Sequence, residues 1–235
     1  MKYGYAFLLP VFLCISVCLA PPVRSATVIS ATRIIYPAKE REVTVQISNQ
    51  GRGPVLLQTW IDSGKIDELP DTIKVPFVLT PPVNRLDPGK SQSIRIRYAG
   101  SELPKDRESL LWFNALEIPP KVQERTDSNL LQMAFRSRIK LFFRPENLQG
   151  SPEEAAQHLR WQVRGNQLIA TNDSPWHVSL VEVETSAQGK RFVTEADTVS
   201  PYSTRAFTTA PGQAGNVTRW YSVNDYGAIR EYTGK

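Results

Sequence analysis

The sequence predicts an all-β protein built from two sandwich domains. Three observations carry this. Apolar and polar residues alternate in runs of about five to ten, turn-forming residues interrupt those runs roughly every ten positions, and past the first 25 residues no segment keeps a helical period for three turns, although 153–160 could form a short helix. At 235 residues the chain is long enough for one large or two ordinary domains.

Residues 1–25 read as a secretory signal peptide. Lys2 gives a basic start, an apolar run follows to Ala20, and Pro21, Pro22 and Arg24 end it too early for a membrane span. Cleavage is expected after Ala20 or, preferably, after Ser25. Both cysteines, Cys14 and Cys18, lie inside this segment, so the exported chain would have no disulfide and would depend on its core. Of 28 basic residues, removal of Lys2 and Arg24 leaves 26 against 23 acidic, a balance of +3. So small an excess does not suit a nucleic-acid partner, which needs a concentrated basic face.

The first domain, 26–146, contains seven strand-like runs, at 27–36, 42–48, 55–61, 75–79, 93–98, 109–118 and 130–143. NQGRGP, DSGK, TPPVNRLDPGK and IPPKVQERTDS separate them, rich in the Gly, Pro, Asn and Asp that fix turns. Seven short strands at this spacing suit a sandwich. Periodicity stops over 145–157, which reads as a linker. The second domain, 147–235, resumes with shorter, more polar runs at 158–163, 167–170, 177–183, 191–194, 203–208 and 217–223, a smaller second sandwich.

The last run of the first domain stands apart. SNLLQMAFRSRIKLFFRP, at 128–145, has no Gly, no acid and no internal Pro, and it is about three times the usual strand length of five or six residues. Leu131, Met133, Phe135, Ile139, Leu141 and Phe143 share one face, while Arg136, Arg138, Lys140 and Arg144 occupy the other. Six apolar side chains on one face require a cover that a domain of this size need not supply along the whole length.

Signatures of catalysis are weak. DPGKS, at 87–91, resembles the end of a phosphate-binding loop, but that pattern needs a glycine at Asn84, so a tight turn is expected. His158 and His177 are the only histidines and have no acid or cysteine at ligand spacing, so no metal is expected. There is no G-x-S-x-G nucleophile turn. No catalytic residues and no cofactor are assigned. The triplets at Asn172 and Asn216 match a glycosylation pattern that is common by chance.

LPKDRESLLWFNALEIPP at 103–120, together with TRIIYP at 32–37, TPPVNRLDPG at 80–89, RIKLFFRP at 138–145 and NDYG at 224–227, resembles the PapD-type periplasmic chaperones of chaperone/usher pili. The similarity spans the chain beyond residue 25 and is densest in the first domain. It implies two immunoglobulin-like sandwiches set at an angle with a cleft between them, and a chaperone that works without ATP, lends a strand to pilus subunits and hands them to an outer-membrane usher.

The resemblance also implies roles for residues. Arg33 and Lys140 match the cleft pair that grips a subunit's terminal carboxylate, through charge-assisted hydrogen bonds of about 1.5–3 kcal/mol each. Without the motif, both would read as solvated strand cations. Leu131, Met133 and Phe135 match the apolar residues lent to the subunit's incomplete sandwich, on the order of 5–9 kcal/mol gross for three anchors; the plain alternative is that they face their own core. Alternation puts Lys140 on the opposite face from them, so a bulge or twist between anchor and donor residues is expected. Glu108, Arg144 and Asp225 match an ion network between the domains. Ala115 replaces a larger aliphatic residue, which predicts looser local packing.

Two other functions fit parts of the sequence. A fibre subunit or adhesin would need an incomplete sandwich and a donor extension at its own N-terminus. A periplasmic carbohydrate-binding module would rest on Trp60, Trp112, Trp161, Trp176 and Trp220, residues that more often belong to cores. Self-association of the free chain through the long strand is left open, and no membrane insertion is expected once the signal is removed.

Overall fold

A computed structural model describes residues 27–100, 103–121 and 132–234. The presumed signal segment and Leu131 lie outside these residues. Nine strands make the first unit: β1 (Thr27–Ile29), β2 (Arg33–Pro37), β3 (Val43–Asn49), β4 (Val55–Asp62), β5 (Phe77–Thr80), β6 (Val83–Leu86), β7 (Ser91–Tyr98), β8 (Ser109–Ile118) and β9 (Phe135–Arg144). They form two sheets, ordered β1-β3-β7-β5 and β2-β9-β8-β4-β6. Alternation decides which side chains meet between the sheets. Ile47, Ile94 and Ile96 from one sheet pack in the same core as Tyr36, Leu57, Phe113 and Leu141 from the other, all fully buried.

The predicted 27–36 run is two strands in different sheets. β1 pairs with β3 and β2 pairs with β9, so the chain changes sheet between Ile29 and Arg33. β6 arises inside the proline-rich stretch that read as a turn; it pairs with β4 and buries only Leu86. Ala115 is buried in the core.

After Arg144, the short helix α1 (Pro152–Gln157) begins at Ser151, whose hydroxyl accepts from the Glu154 amide. It buries Ala155 and Ala156 against the second unit. That unit consists of β10 (Arg160–Arg164), β11 (Gln167–Asn172), β12 (Val178–Ala187), β13 (Lys190–Glu195), β14 (Thr198–Val199), β15 (Ser203–Thr208), β16 (Asn216–Val223) and β17 (Ile229–Thr233). The sheets run β10-β11-β15 and β13-β12-β16-β17, with β14 on β12. Leu168, Val183, Val199 and Trp220 centre a second, separate core. The fold is thus all-β, with two immunoglobulin-like sandwiches.

β9 joins β8 residue for residue from Phe135 to Phe143 without a register shift. The bulge expected between Phe135 and Lys140 is absent; the two side chains occupy opposite faces of one regular strand. No bulge is needed, because a strand edge binds through backbone groups, which do not require the flanking side chains to share a face. Along β9 burial changes abruptly. Leu141, Phe142 and Phe143 are buried, whereas Met133 and Phe135 are 54% and 48% exposed, so the apolar face runs past the end of its own core.

Leu141→Ala removes a fully buried side chain from the first core and is predicted to cost that unit about 2–5 kcal/mol. Denaturant unfolding followed separately for the two units checks this, with the second transition unmoved.

Candidate functional site: the cleft between the sandwiches

The cleft is set by the ends of three strands. Arg144 closes β9, and its guanidinium reaches both domains. Nε and Nη2 donate to Glu108 Oε1 at 3.0 and 2.8 Å, while Nη1 and Nη2 donate to the two oxygens of Asp225 at 2.7 and 3.0 Å. Glu108, at the foot of β8, is 3% exposed. Its second oxygen accepts from the backbone amide of His177 at 3.0 Å, and His177 Nδ1 lies 3.3 Å from the same oxygen. The Glu108 amide in turn donates to the Pro175 carbonyl. One cation, two carboxylates and a backbone amide thus fasten the sandwiches together.

Asp225 is presented by the turn NDYG. Asn224 Oδ1 accepts from the amides of Tyr226 and Ala228, and Gly227 takes a positive φ of 84°. A Cβ at Gly227 would collide with the side chain of Thr32, so glycine permits the turn to press against the residue preceding β2. The Arg144 guanidinium also lies over the Trp176 ring, 4.8 Å from its centroid.

Arg33 and Lys140 are register partners on the parallel strands β2 and β9, and the cleft places them side by side. Arg33 Nη1 donates to the Val223 carbonyl at 2.8 Å, while its Nε is buried without a partner among the described residues. Lys140 Nζ donates to Thr198 Oγ1 and lies 3.6 Å from Asp197 Oδ1. Burial lowers the pKa of the Lys140 ammonium; Asp197 opposes that effect and the Arg33 charge adds to it. Burial lowers the Arg33 guanidinium as well, against the pull of Asp225 and Glu108. Two cations share one desolvated corner, with only a half-exposed carboxylate directly beside Lys140.

The outer face of the same sheet carries a network that the sequence reading missed. Asp62, fully buried, accepts from Arg138, Arg136, Asn114 and the Gly64 amide. Arg136 lies over Trp60 and Arg138 over Trp112, at 4.9 and 4.1 Å. Trp60 and Trp112 are partly exposed, as is Trp161, whereas Trp176 and Trp220 are buried. Burial alone would raise the Asp62 carboxyl, but its hydrogen bonds outweigh that effect and hold it below the usual value.

Of the residues singled out from sequence, Arg33 and Lys140 adjoin, and Glu108, Arg144 and Asp225 are bonded together. Met133 and Phe135 lie exposed at the N-terminal end of β9, and Leu131 falls outside the described residues. His177, Thr198, Asp197 and the Val223 carbonyl were not found from sequence, since each reaches the site only through docking of the second domain. Among the described residues no group of His, Cys, Asp and Glu could hold a metal ion, and no helix is long and apolar enough to cross a membrane.

Comparison with known proteins agrees with this architecture. Residues 26–149 match the family model of the pili and flagellar-assembly chaperone, PapD N-terminal domain, and residues 154–234 match that of the pili assembly chaperone PapD, C-terminal domain. The chain belongs to the PapD family of pilus assembly chaperones. The probable fimbrial chaperone YadV of Escherichia coli K12 is 40% identical over 231 residues, covering 93% of this chain and 94% of the relative. The YadV crystal structure superposes with a TM-score of 0.76, covering 88% of this chain and 98% of that one. A chain from the Salmonella enterica complex of SafA pilin with the SafB chaperone is 29% identical, with a TM-score of 0.75 and coverage of 92% and 99%.

Two stability predictions follow from these networks. Arg144→Ala strands the buried Glu108 and is predicted to destabilise by about 3–5 kcal/mol, with partial recovery on adding Glu108→Gln; chemical denaturation of the single and double variants checks this. For Asp62 the folded pKa lies below the unfolded value of about 3.9, so its stabilisation is present above that value and is lost as pH falls through the folded one. Asp62→Asn is predicted to be less stable than wild type at pH 7, with the gap narrowing below about pH 4. Urea midpoints measured across this range test the sign.

Proposed function

We propose that this chaperone captures pilus subunits by strand addition along β9 while Arg33 and Lys140 hold the subunit's terminal carboxylate. The observation that carries the reading is the mismatch in length between β2 and β9. β2 pairs only with 140–144, so among the described residues the edge of β9 that faces away from β8 has no strand beside it from 135 to 139. Unpaired backbone groups next to exposed apolar side chains form a template for another chain, and Met133 and Phe135 supply those side chains.

The proposed grip then implies a polarity. A strand that pairs with 135–139 and ends in a carboxylate at Arg33 and Lys140 must run parallel to β9, in line with β2. Its last residue stops where β2 begins. Two desolvated cations gain more from a carboxylate than solvated ones would, and the unpartnered Arg33 Nε offers a donor. The apolar anchors Leu131, Met133 and Phe135 would fill a groove in the subunit, and the bonds of Glu108, Arg144 and Asp225 keep the second domain at the distance the grip requires.

This reading places the chaperone in the periplasm, exported by residues 1–25 and divided near residue 146, with an outer-membrane usher as the recipient of its cargo. The chaperone–pilin complex of the SafB relative supports subunit binding. A fibre subunit is disfavoured, because β1 to β9 already close a complete first sandwich.

Lys140→Ala and Arg33→Ala are each predicted to lower recovery of subunit with tagged chaperone from periplasmic extracts by at least tenfold, about 1.4 kcal/mol, with stability unchanged or raised. Undiminished recovery with both variants would remove the carboxylate anchor. Phe135→Asp should lower recovery while leaving the affinity for an isolated carboxylate unchanged.

A further inference from the structure

We propose that Asp197 is an internal stand-in for the ligand carboxylate, so that every group entering the cleft competes with it for Lys140. The inference rests on the carboxylate-anchor reading above and adds a selectivity device to it. Asp197 lies in the second domain, immediately before β14, and its carboxylate reaches across the cleft to within 3.6 Å of Lys140 Nζ. Thr198, the next residue, accepts from the same ammonium. One dipeptide therefore supplies a negative charge and a hydroxyl oxygen where an arriving carboxylate would otherwise supply both its oxygens.

Asp197 is also built to let go. Its Oδ2 accepts from Arg205 Nη2 at 2.8 Å, its Oδ1 accepts from the Thr198 amide at 2.6 Å, and Arg205 Nη1 is fixed on the Thr198 carbonyl at 2.6 Å. With these partners Asp197 stays ionised and ordered when Lys140 turns away. Among the described residues Lys140 Nζ has no hydrogen-bond partner in its own domain, only Thr198 and Asp197 across the cleft; it lies above the Trp112 ring, 5.7 Å from the centroid, with its stem against apolar surface. The contact is thus asymmetric, with the acid held twice by its own domain and the lysine held only across the cleft.

The consequence is discrimination. A neutral or amidated chain end cannot repay the loss of the Asp197 contact, whereas a carboxylate replaces it with a second charge partner in Arg33. Asp197 is half-exposed, with 57% of its side chain accessible, so the competition is worth no more than a typical surface pair, about two- to fivefold in affinity.

The test uses the full chain and two synthetic probes, a ten-residue peptide of alternating apolar and polar residues with a free terminal carboxylate, and its C-terminal amide, titrated by calorimetry. Asp197→Asn and Asp197→Ala are expected to bind the carboxylate peptide about two- to fivefold more tightly than wild type and to tighten on the amide by at least the same factor, so that the preference for carboxylate narrows or holds; a wider preference would overturn the selectivity role. Asp197→Glu should remain near wild type. Unchanged or weaker carboxylate binding by the Asn and Ala variants would overturn the stand-in role and leave the anchor intact. Equal binding of the two peptides by wild type, together with no effect of Lys140→Ala, would overturn the anchor and the stand-in with it.

Discussion

The guanidinium of Arg144 is the point on which the molecule's geometry depends. It ends β9, the strand that carries the open edge, and it is bonded at once to Glu108 of its own sandwich and Asp225 of the next. If the two domains could swing freely, the Val223 carbonyl would leave Arg33 and the Asp197–Thr198 pair would leave Lys140. The cleft would then be two unrelated surfaces. A buried ion network of this kind gives up much of its Coulomb energy to desolvation, so its effect is to select one arrangement of the domains more than to stabilise either of them.

β9 combines three environments along ten residues. Its C-terminal third, with Leu141 and Phe143, is part of a core; its middle carries Lys140 into the cleft; and its beginning, with Phe135, leaves apolar surface uncovered. A regular strand can do this because successive side chains alternate in direction while the backbone edge continues unchanged. Exposed apolar surface beside an unpaired edge would be an aggregation hazard in an ordinary domain. Under the proposed function the same feature is the means of binding, and the cations at its end would select which chain ends are accepted.

Much of this was legible in the sequence, and the exceptions have physical causes. Alternation located most strands of the first domain, since their inward residues are large and apolar. It missed β6 and β17, edge strands that bury one residue each, Leu86 and Tyr232, and so offer no alternating pattern. It joined β1 to β2, because the residues between them continue an apolar tone while the chain changes sheet. Arg33 and Lys140 were picked out by motif resemblance; periodicity alone gives each as an ordinary strand cation, and their adjacency comes from parallel pairing across 107 positions of sequence. Asp197 and His177 gave no signal, because their contacts to Lys140 and Glu108 exist only once the second sandwich has docked. The expected bulge came from requiring grip and apolar anchors to share a face, a requirement that edge pairing does not impose.

The central claim is that a subunit strand completes the open edge of β9 in line with β2. Amide hydrogen exchange, compared between the free chaperone and the chaperone loaded with a subunit, addresses it directly. The account predicts that the amides of 135–139 that point away from β8 become strongly protected on loading, while 141–143, already paired with both β8 and β2, change little. Unchanged exchange over 135–139 in the loaded complex, with protection appearing elsewhere, would contradict it.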